Sequence, residues 1–178
     1  MPKIAAKTLQ ARLAKVKLFL CDVDGVLTDG GLYLGAEGEL KRFYVPDGLA
    51  LHFLRRVGIK VGWISARPSA VTTRRAQELK IDFLTQNDRG KVAAAEAILA
   101  QSGLGFAEVC YMGDDVVDLA LLKRVGVGVA VANGIRETKA AAHYVTKAPG
   151  GHGAVRETVE LILRAQNQWQ ATVDHYST

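Results

Sequence analysis

The sequence predicts an α/β domain built on a doubly wound, Rossmann-like parallel sheet, and three observations carry that reading. Apolar runs of strand length recur between segments of helical period. The runs are near-continuously apolar, as strands covered on both faces are. Acidic and glycine-bearing turns follow them, at the carboxyl edge where such sheets bind ligands. One segment departs from the alternation: 30–46 holds two short β-like runs around Gly35-Ala-Glu-Gly38, a hairpin signal placed just after the first strand.

The elements follow in order. After a basic, polar, helix-like start, the run 16–21 (Val-Lys-Leu-Phe-Leu-Cys) is the first strand. The hairpin comes next, and because two strands alone are marginal in water, Leu32, Leu34, Phe43 and Val45 need a surface to pack on, from this chain's helices or from another subunit. Strands are then predicted at 59–64, 81–84, 108–112, 127–131 and 143–146, separated by amphipathic stretches near 48–57, 68–79, 89–102, 115–124 and 135–142. A C-terminal helix and tail occupy 153–178.

Composition bounds the function classes. The chain has 178 residues, 49% of them hydrophobic and 23% charged, with no repeat and no Pro/Ser-rich linker, so a single domain over 1–178 is expected. No apolar run approaches the roughly 18 residues of a membrane span, and the start lacks an apolar signal core, which places the protein in the cytoplasm and off the membrane. Cys21 and Cys110 sit inside strand runs and read as buried, reduced thiols. The net charge of +5 is spread along the chain and not interleaved with aromatics, so nucleic acid is not expected and an anionic small molecule fits.

The chemistry concentrates at the strand ends. The first strand runs into Asp22-Val-Asp24-Gly25-Val-Leu-Thr28-Asp29, the second ends in Ser65-Ala66-Arg67, Lys91 opens the helix after the third, and Gly113-Asp114-Asp115-Val-Val-Asp118 follows the fourth. Each has a structural alternative: aspartates cap turns, Ser65 is a candidate N-cap, Lys91 a solvated helix residue, and an acidic pair favours a helix N-terminus. Jointly they converge on one sheet edge and make an acidic, Mg²⁺-ready pocket beside a hydroxyl and backbone amides suited to phosphate.

These four ordered elements resemble the motifs of the haloacid dehalogenase superfamily of phosphotransferases. The absence of a cap domain, the hairpin, and Gly150-Gly-His-Gly-Ala-Val-Arg-Glu157 resemble its 3-deoxy-D-manno-octulosonate 8-phosphate phosphatase subgroup. The resemblance implies that Asp22 attacks phosphorus to form an aspartyl-phosphate and that Asp24 protonates the leaving alcohol and then activates water. Oxygens of Asp22, Asp114 and the Asp24 carbonyl suit Mg²⁺. Ser65, Ala66 and Lys91 would hold the phosphoryl oxygens, with Asp115 and Asp118 orienting Lys91 and the metal waters. A sugar-acid phosphate in lipopolysaccharide precursor synthesis is the implied substrate, and a homotetramer closed by the hairpin is the implied assembly.

Departures fall on the substrate side. The subgroup carries Thr-Gly-Arg where this chain has Ser65-Ala66-Arg67, and Phe-Asn-x-x-Asp-Gly followed by a basic residue where it has Phe43-Tyr44-Val45-Pro46-Asp47-Gly48 leading to His52. Tyr44, Asp47, Gly48 and His52 are candidate sugar contacts, and Arg67 and Arg75 candidate partners for the substrate carboxylate. A nonulosonate 9-phosphate phosphatase is the alternative, from which Arg67 points away. A response-regulator receiver would need its phosphoacceptor two strands later, where only Gln86-Asn-Asp88 stands. A non-catalytic module is disfavoured by the four intact motifs.

Overall fold

The computed structural model describes residues 5–36, 38–87 and 90–177. The basic start at 1–4, Glu37 of the predicted hairpin signal, Asp88, Arg89 and Thr178 lie outside the described residues.

Six parallel strands form the main sheet: β1 (Leu18–Cys21), β4 (Lys60–Ser65), β5 (Phe83–Gln86), β6 (Val109–Gly113), β7 (Val127–Ala130) and β8 (Tyr144–Val145). Their order is β5-β4-β1-β6-β7-β8. The chain builds outward from β1 in one direction and then from β1 in the other, so the topological switch lies between β1 and β6. In register, Cys21 stands beside Trp63 of β4 and Met112 of β6. Asp22, Ser65 and Asp114 therefore leave the sheet at the same edge.

All four residues of β1 are buried, and their side chains divide between the two faces. Phe19 and Cys21 join a core with Val61, Trp63 and Met112, covered by α2 (Val45–Arg56) and α7 (Ala154–Ala165). Leu18 and Leu20 join a second core with Ile64, Val109 and Tyr111, covered by α4 (Lys91–Ser102) and the short α5 (Leu119–Leu122). Helix α7 shows why it docks: its buried residues Ala154, Val155, Thr158, Val159, Ile162 and Leu163 form a stripe at helical spacing. The other helices are α1 (Ala6–Leu13), α3 (Ala70–Glu78), α6 (Arg136–Ala141) and α8 (Trp169–His175).

The hairpin is shorter than the sequence suggests. β2 (Tyr33–Gly35) pairs antiparallel with β3 (Gly38–Leu40), and Val45 and Pro46 already belong to α2. Leu32, Leu34 and Val45 are exposed, as expected for unpartnered apolar positions. Phe43 differs, because its ring stacks on Trp63 with centroids 6.2 Å apart, within the chain's own core. The C-terminal region also differs from a single helix and tail. Asn167 adopts a left-handed φ of 57°, which ends the α7 direction and starts α8.

Candidate active site

The loop after β1 is folded by its own backbone. The N–H groups of Leu27 and Thr28 donate to the Val23 carbonyl, and the Thr28 hydroxyl accepts from the N–H groups of Gly25 and Gly30. This turn requires glycine at position 25, where φ is +86°, and it brings that backbone against Asp114. Gly150 and Gly151 pack on the same loop: a Cβ on Gly150 would lie 1.7 Å from the Gly25 carbonyl. The glycine pair in the Gly150–Glu157 motif thus packs against the loop after β1.

Lys91 is the hub of the charged cluster. Its ammonium lies 2.5 Å from Asp22 Oδ2 and 2.7 Å from Asp118 Oδ1. Burial works against the lysine charge, but Asp22 and Asp118 outweigh it and hold the pKa above its ordinary value. Asp118 is fully buried and its oxygens are occupied. Oδ1 also accepts from the Tyr111 hydroxyl at 2.5 Å, and Oδ2 accepts from the N–H groups of Asp114 and Asp115 at 2.8 and 3.1 Å. It contacts the Lys91 ammonium and the N–H groups of Asp114 and Asp115. Gly113 makes room for it, since a Cβ there would fall 2.4 Å from Asp118.

Asp22, Asp114 and Asp118 bring carboxylate oxygens within 4.8 Å of one another. Asp118 is engaged through both oxygens, and Asp22 accepts from the Val23 N–H at 2.6 Å through Oδ1; Asp22 and Asp114 are the candidates for a cation. Asp114 Oδ1 is buried without a hydrogen-bond partner among the described residues. Burial, then the charges of Asp118 and Asp22, push the Asp114 pKa up to about 7. Burial raises Asp22 as well, against the pull of Lys91. Three close carboxylates beside one lysine make a site short of positive charge, and hard oxygen donors of this kind fit Mg²⁺.

Ser65 is buried at the end of β4, and its hydroxyl lies 3.1 Å from both the N–H and the carbonyl of Arg67. Ala66 between them is exposed. Arg67 reaches back to the hairpin, with Nη2 2.8 Å from Glu39 Oε2.

The remaining expected contacts are placed elsewhere. Asp47 is buried under α7, where its carboxylate accepts from the N–H groups of Gly153 and Arg156 at 3.2 and 2.7 Å and caps that helix. The Gly48 N–H donates to the Tyr44 carbonyl inside α2, and Tyr44 itself precedes that helix with its ring near Gly153. Gly48, His52 and Arg75 line a groove between α2 and α3 that includes none of the clustered aspartates. Arg75 there pairs with Glu78 at 2.7 Å and lies over the Phe43 ring. Asp115 is exposed and accepts from the Val116 N–H, capping a short helical turn instead of orienting Lys91.

Lys41 and Glu39 were not anticipated. Lys41 lies 2.6 Å from Asp24 Oδ1 with its side chain fully enclosed. A lysine and a glutamate on a hairpin read as solvated charges, and only their alternation with apolar Leu40 hinted at a buried side.

Comparison with known proteins places the chain in a family. Residues 54–157 match the model of the haloacid dehalogenase-like hydrolases. The chain is 41% identical to the 3-deoxy-D-manno-octulosonate 8-phosphate phosphatase KdsC of Yersinia pestis, over 88% of this chain and 84% of that protein. The chain belongs to this family of haloacid dehalogenase-like hydrolases. The phosphatase of the same name from Escherichia coli K12 is 37% identical over 89% of this chain and 85% of its own. Among solved structures, the Moraxella catarrhalis phosphatase in complex with magnesium ion, phosphate ion and KDO superposes with a TM-score of 0.94 at 39% identity, covering 97% of this chain and 99% of that one. A cobalt-bound Haemophilus influenzae phosphatase superposes with a TM-score of 0.87 at 37% identity, covering 90% and 94%. The hairpin without a cap domain and the six-stranded sheet are the architecture of this family.

Proposed function

We propose that the protein hydrolyses 3-deoxy-D-manno-octulosonate 8-phosphate to the free sugar acid and inorganic phosphate, using Mg²⁺. The observation that carries this reading is the convergence of Asp22, Lys91 and Asp114 at the β1–β6 switch, in a chain related over most of its length to phosphatases of that name. When bound between Asp22 and Asp114, with the Asp24 carbonyl, the ion would cancel charge between a carboxylate nucleophile and a phosphate dianion.

The chain's own residues supply the rest. Asp22 attacks phosphorus through a carboxylate oxygen, giving an aspartyl-phosphate as the phosphorus–oxygen bond to the sugar breaks. Asp24 gives its proton to the departing alkoxide, then takes one from the water that releases phosphate and restores Asp22. Lys91, fixed by Asp118, neutralises a phosphoryl oxygen, and the Ser65–Arg67 turn offers hydroxyl and amide donors beside it. Arg67 is the candidate for the substrate carboxylate.

The exposed apolar hairpin supports a homotetramer: Leu34 and Leu40 are 75% and 70% exposed on a two-stranded element that needs a partner surface. Two buried free thiols, Cys21 and Cys110, support a reducing, cytoplasmic setting.

The test is Mg²⁺-dependent phosphate release over the octulosonate 8-phosphate, a nonulosonate 9-phosphate and a neutral hexose phosphate. The first is expected to have the highest kcat/KM. Preference for the nine-carbon acid would move the substrate assignment, and preference for the hexose would remove the carboxylate site.

A further inference from the structure

Lys41 stands one residue past β3, and its enclosed ammonium meets three oxygens from three separate elements. It lies 2.6 Å from Asp24 Oδ1 in the loop after β1 and 3.4 Å from Glu39 Oε1 on β3. It donates to Thr72 Oγ1 on α3 at 3.2 Å. The Thr72 contact is a hydrogen bond, and the contacts to Asp24 and Glu39 are ion pairs that set two carboxylates against one enclosed charge. Glu39 is itself braced, accepting from the Ser69 hydroxyl at 3.0 Å and pairing with Arg67 at 2.8 Å. A hairpin that served only as an apolar contact surface would have no use for an enclosed cation at its base, because removing a charge from water is costly unless its partners are built in.

We propose that Lys41 is a positioning residue for the hydrolysis: held by Glu39 and Thr72, it pins Oδ1 of Asp24 and turns the other carboxylate oxygen toward the leaving group. The inference rests on the reading of Asp24 as the proton donor. It makes the hairpin part of the reaction machinery, since the lysine that orients Asp24 is delivered by β3 and not by the sheet. It also links Arg67 to Asp24 through Glu39 and Lys41, so the arginine assigned to the substrate and the acid that releases the sugar share one charged chain.

The experiment compares Lys41→Met, Asp24→Asn and the double variant on two esters, the sugar-acid phosphate with its poor alcohol leaving group and 4-nitrophenyl phosphate with a good one. A positioned general acid contributes about 10²- to 10⁴-fold, so Lys41→Met is expected to lower kcat on the sugar-acid phosphate about 30- to 300-fold with KM within about threefold. The loss on the aryl ester is expected to stay below about fivefold, and the double variant to be no slower than Asp24→Asn alone. Glu39→Gln, which loosens the brace but leaves the lysine, should show a smaller loss with the same dependence on leaving group, and serves where Lys41→Met does not fold by circular dichroism. Equal losses on both esters, or losses that multiply with Asp24→Asn, would overturn the proposal. Equal losses for Asp24→Asn itself would instead overturn the proton-donor reading beneath it, a result seen without touching Lys41.

Discussion

Gly25 and Asp114 stand so close that a Cβ on the glycine would fall 2.1 Å from Asp114 Oδ2. The loop after β1 and the metal-ligand candidate are thus fitted to each other with no room for a side chain, on a backbone that L-residues rarely adopt.

Gly25→Ala should therefore damage the site more than the fold. The strained φ alone costs about 1–2 kcal/mol, and relief of the clash must move Asp114. Mg²⁺ affinity, followed by the ion's effect on thermal unfolding, is expected to weaken at least about tenfold, with kcat down about 100-fold. Unchanged Mg²⁺ affinity would show that Asp114 does not depend on this fit.

Asp47→Ala separates a capping role from a sugar-binding one. The substitution leaves the N–H groups of Gly153 and Arg156 without their acceptor, at about 1–3 kcal/mol, or roughly 3–10 °C in Tm. KM for the sugar-acid phosphate is expected to change by less than about twofold. A raised KM with an unchanged Tm would return Asp47 to the substrate pocket.

Much of this was legible in the sequence, for a physical reason. Strands such as Leu18–Cys21 are buried on both faces, so their composition alone marks them, and the motif residues follow because each lies at or beyond the carboxyl end of a strand, Lys91 at the start of the helix after β5. What was hidden depends on contacts between distant segments. Asp47 caps a helix that begins at Ala154, Phe43 finds Trp63 two elements later, and the Lys41 side chain is enclosed where it meets Thr72 of α3 and Asp24 of the β1 loop. A charged residue shows its partner only in three dimensions. Arg75, expected beside Arg67 at the substrate carboxylate, faces Glu78 and Phe43 for the same reason.

The carboxylate cluster sets a pH dependence. Asp114 sits at about 7 in the folded chain against an ordinary 3.8, so the fold holds a proton that the unfolded chain releases over that interval. Its contribution to stability is full below about pH 4 and lost as pH rises through about 7, and Asp22 shifts the same way. Mg²⁺ binds the deprotonated pair. The rise in Tm that Mg²⁺ produces over EDTA is expected to grow between about pH 5.5 and about pH 8. An increment that is flat or shrinks across this range would contradict the assignment of Asp22 and Asp114 as ligands.

Arg67 offers a test of substrate choice. Its Nη1 is buried without a hydrogen-bond partner among the described residues, while Nη2 is held by Glu39. A bidentate or charge-assisted contact to a carboxylate is worth about 2–4 kcal/mol, so Arg67→Ala should lose roughly 30- to 1,000-fold in kcat/KM on the sugar-acid phosphate. Hydrolysis of a small aryl phosphate should fall by less than about threefold. Similar losses on both would show that Arg67 serves the phosphate or the fold.

The central claim is that Asp22 is the nucleophile of an Mg²⁺-dependent phosphatase. It is tested most directly by phosphate release from 3-deoxy-D-manno-octulosonate 8-phosphate, comparing the natural chain with Asp22→Asn in Mg²⁺. The amide keeps the shape but neither attacks phosphorus nor binds the ion well, so turnover is expected to fall below about one hundredth with the thermal unfolding profile retained. Turnover above that level in a folded Asp22→Asn variant would contradict the account.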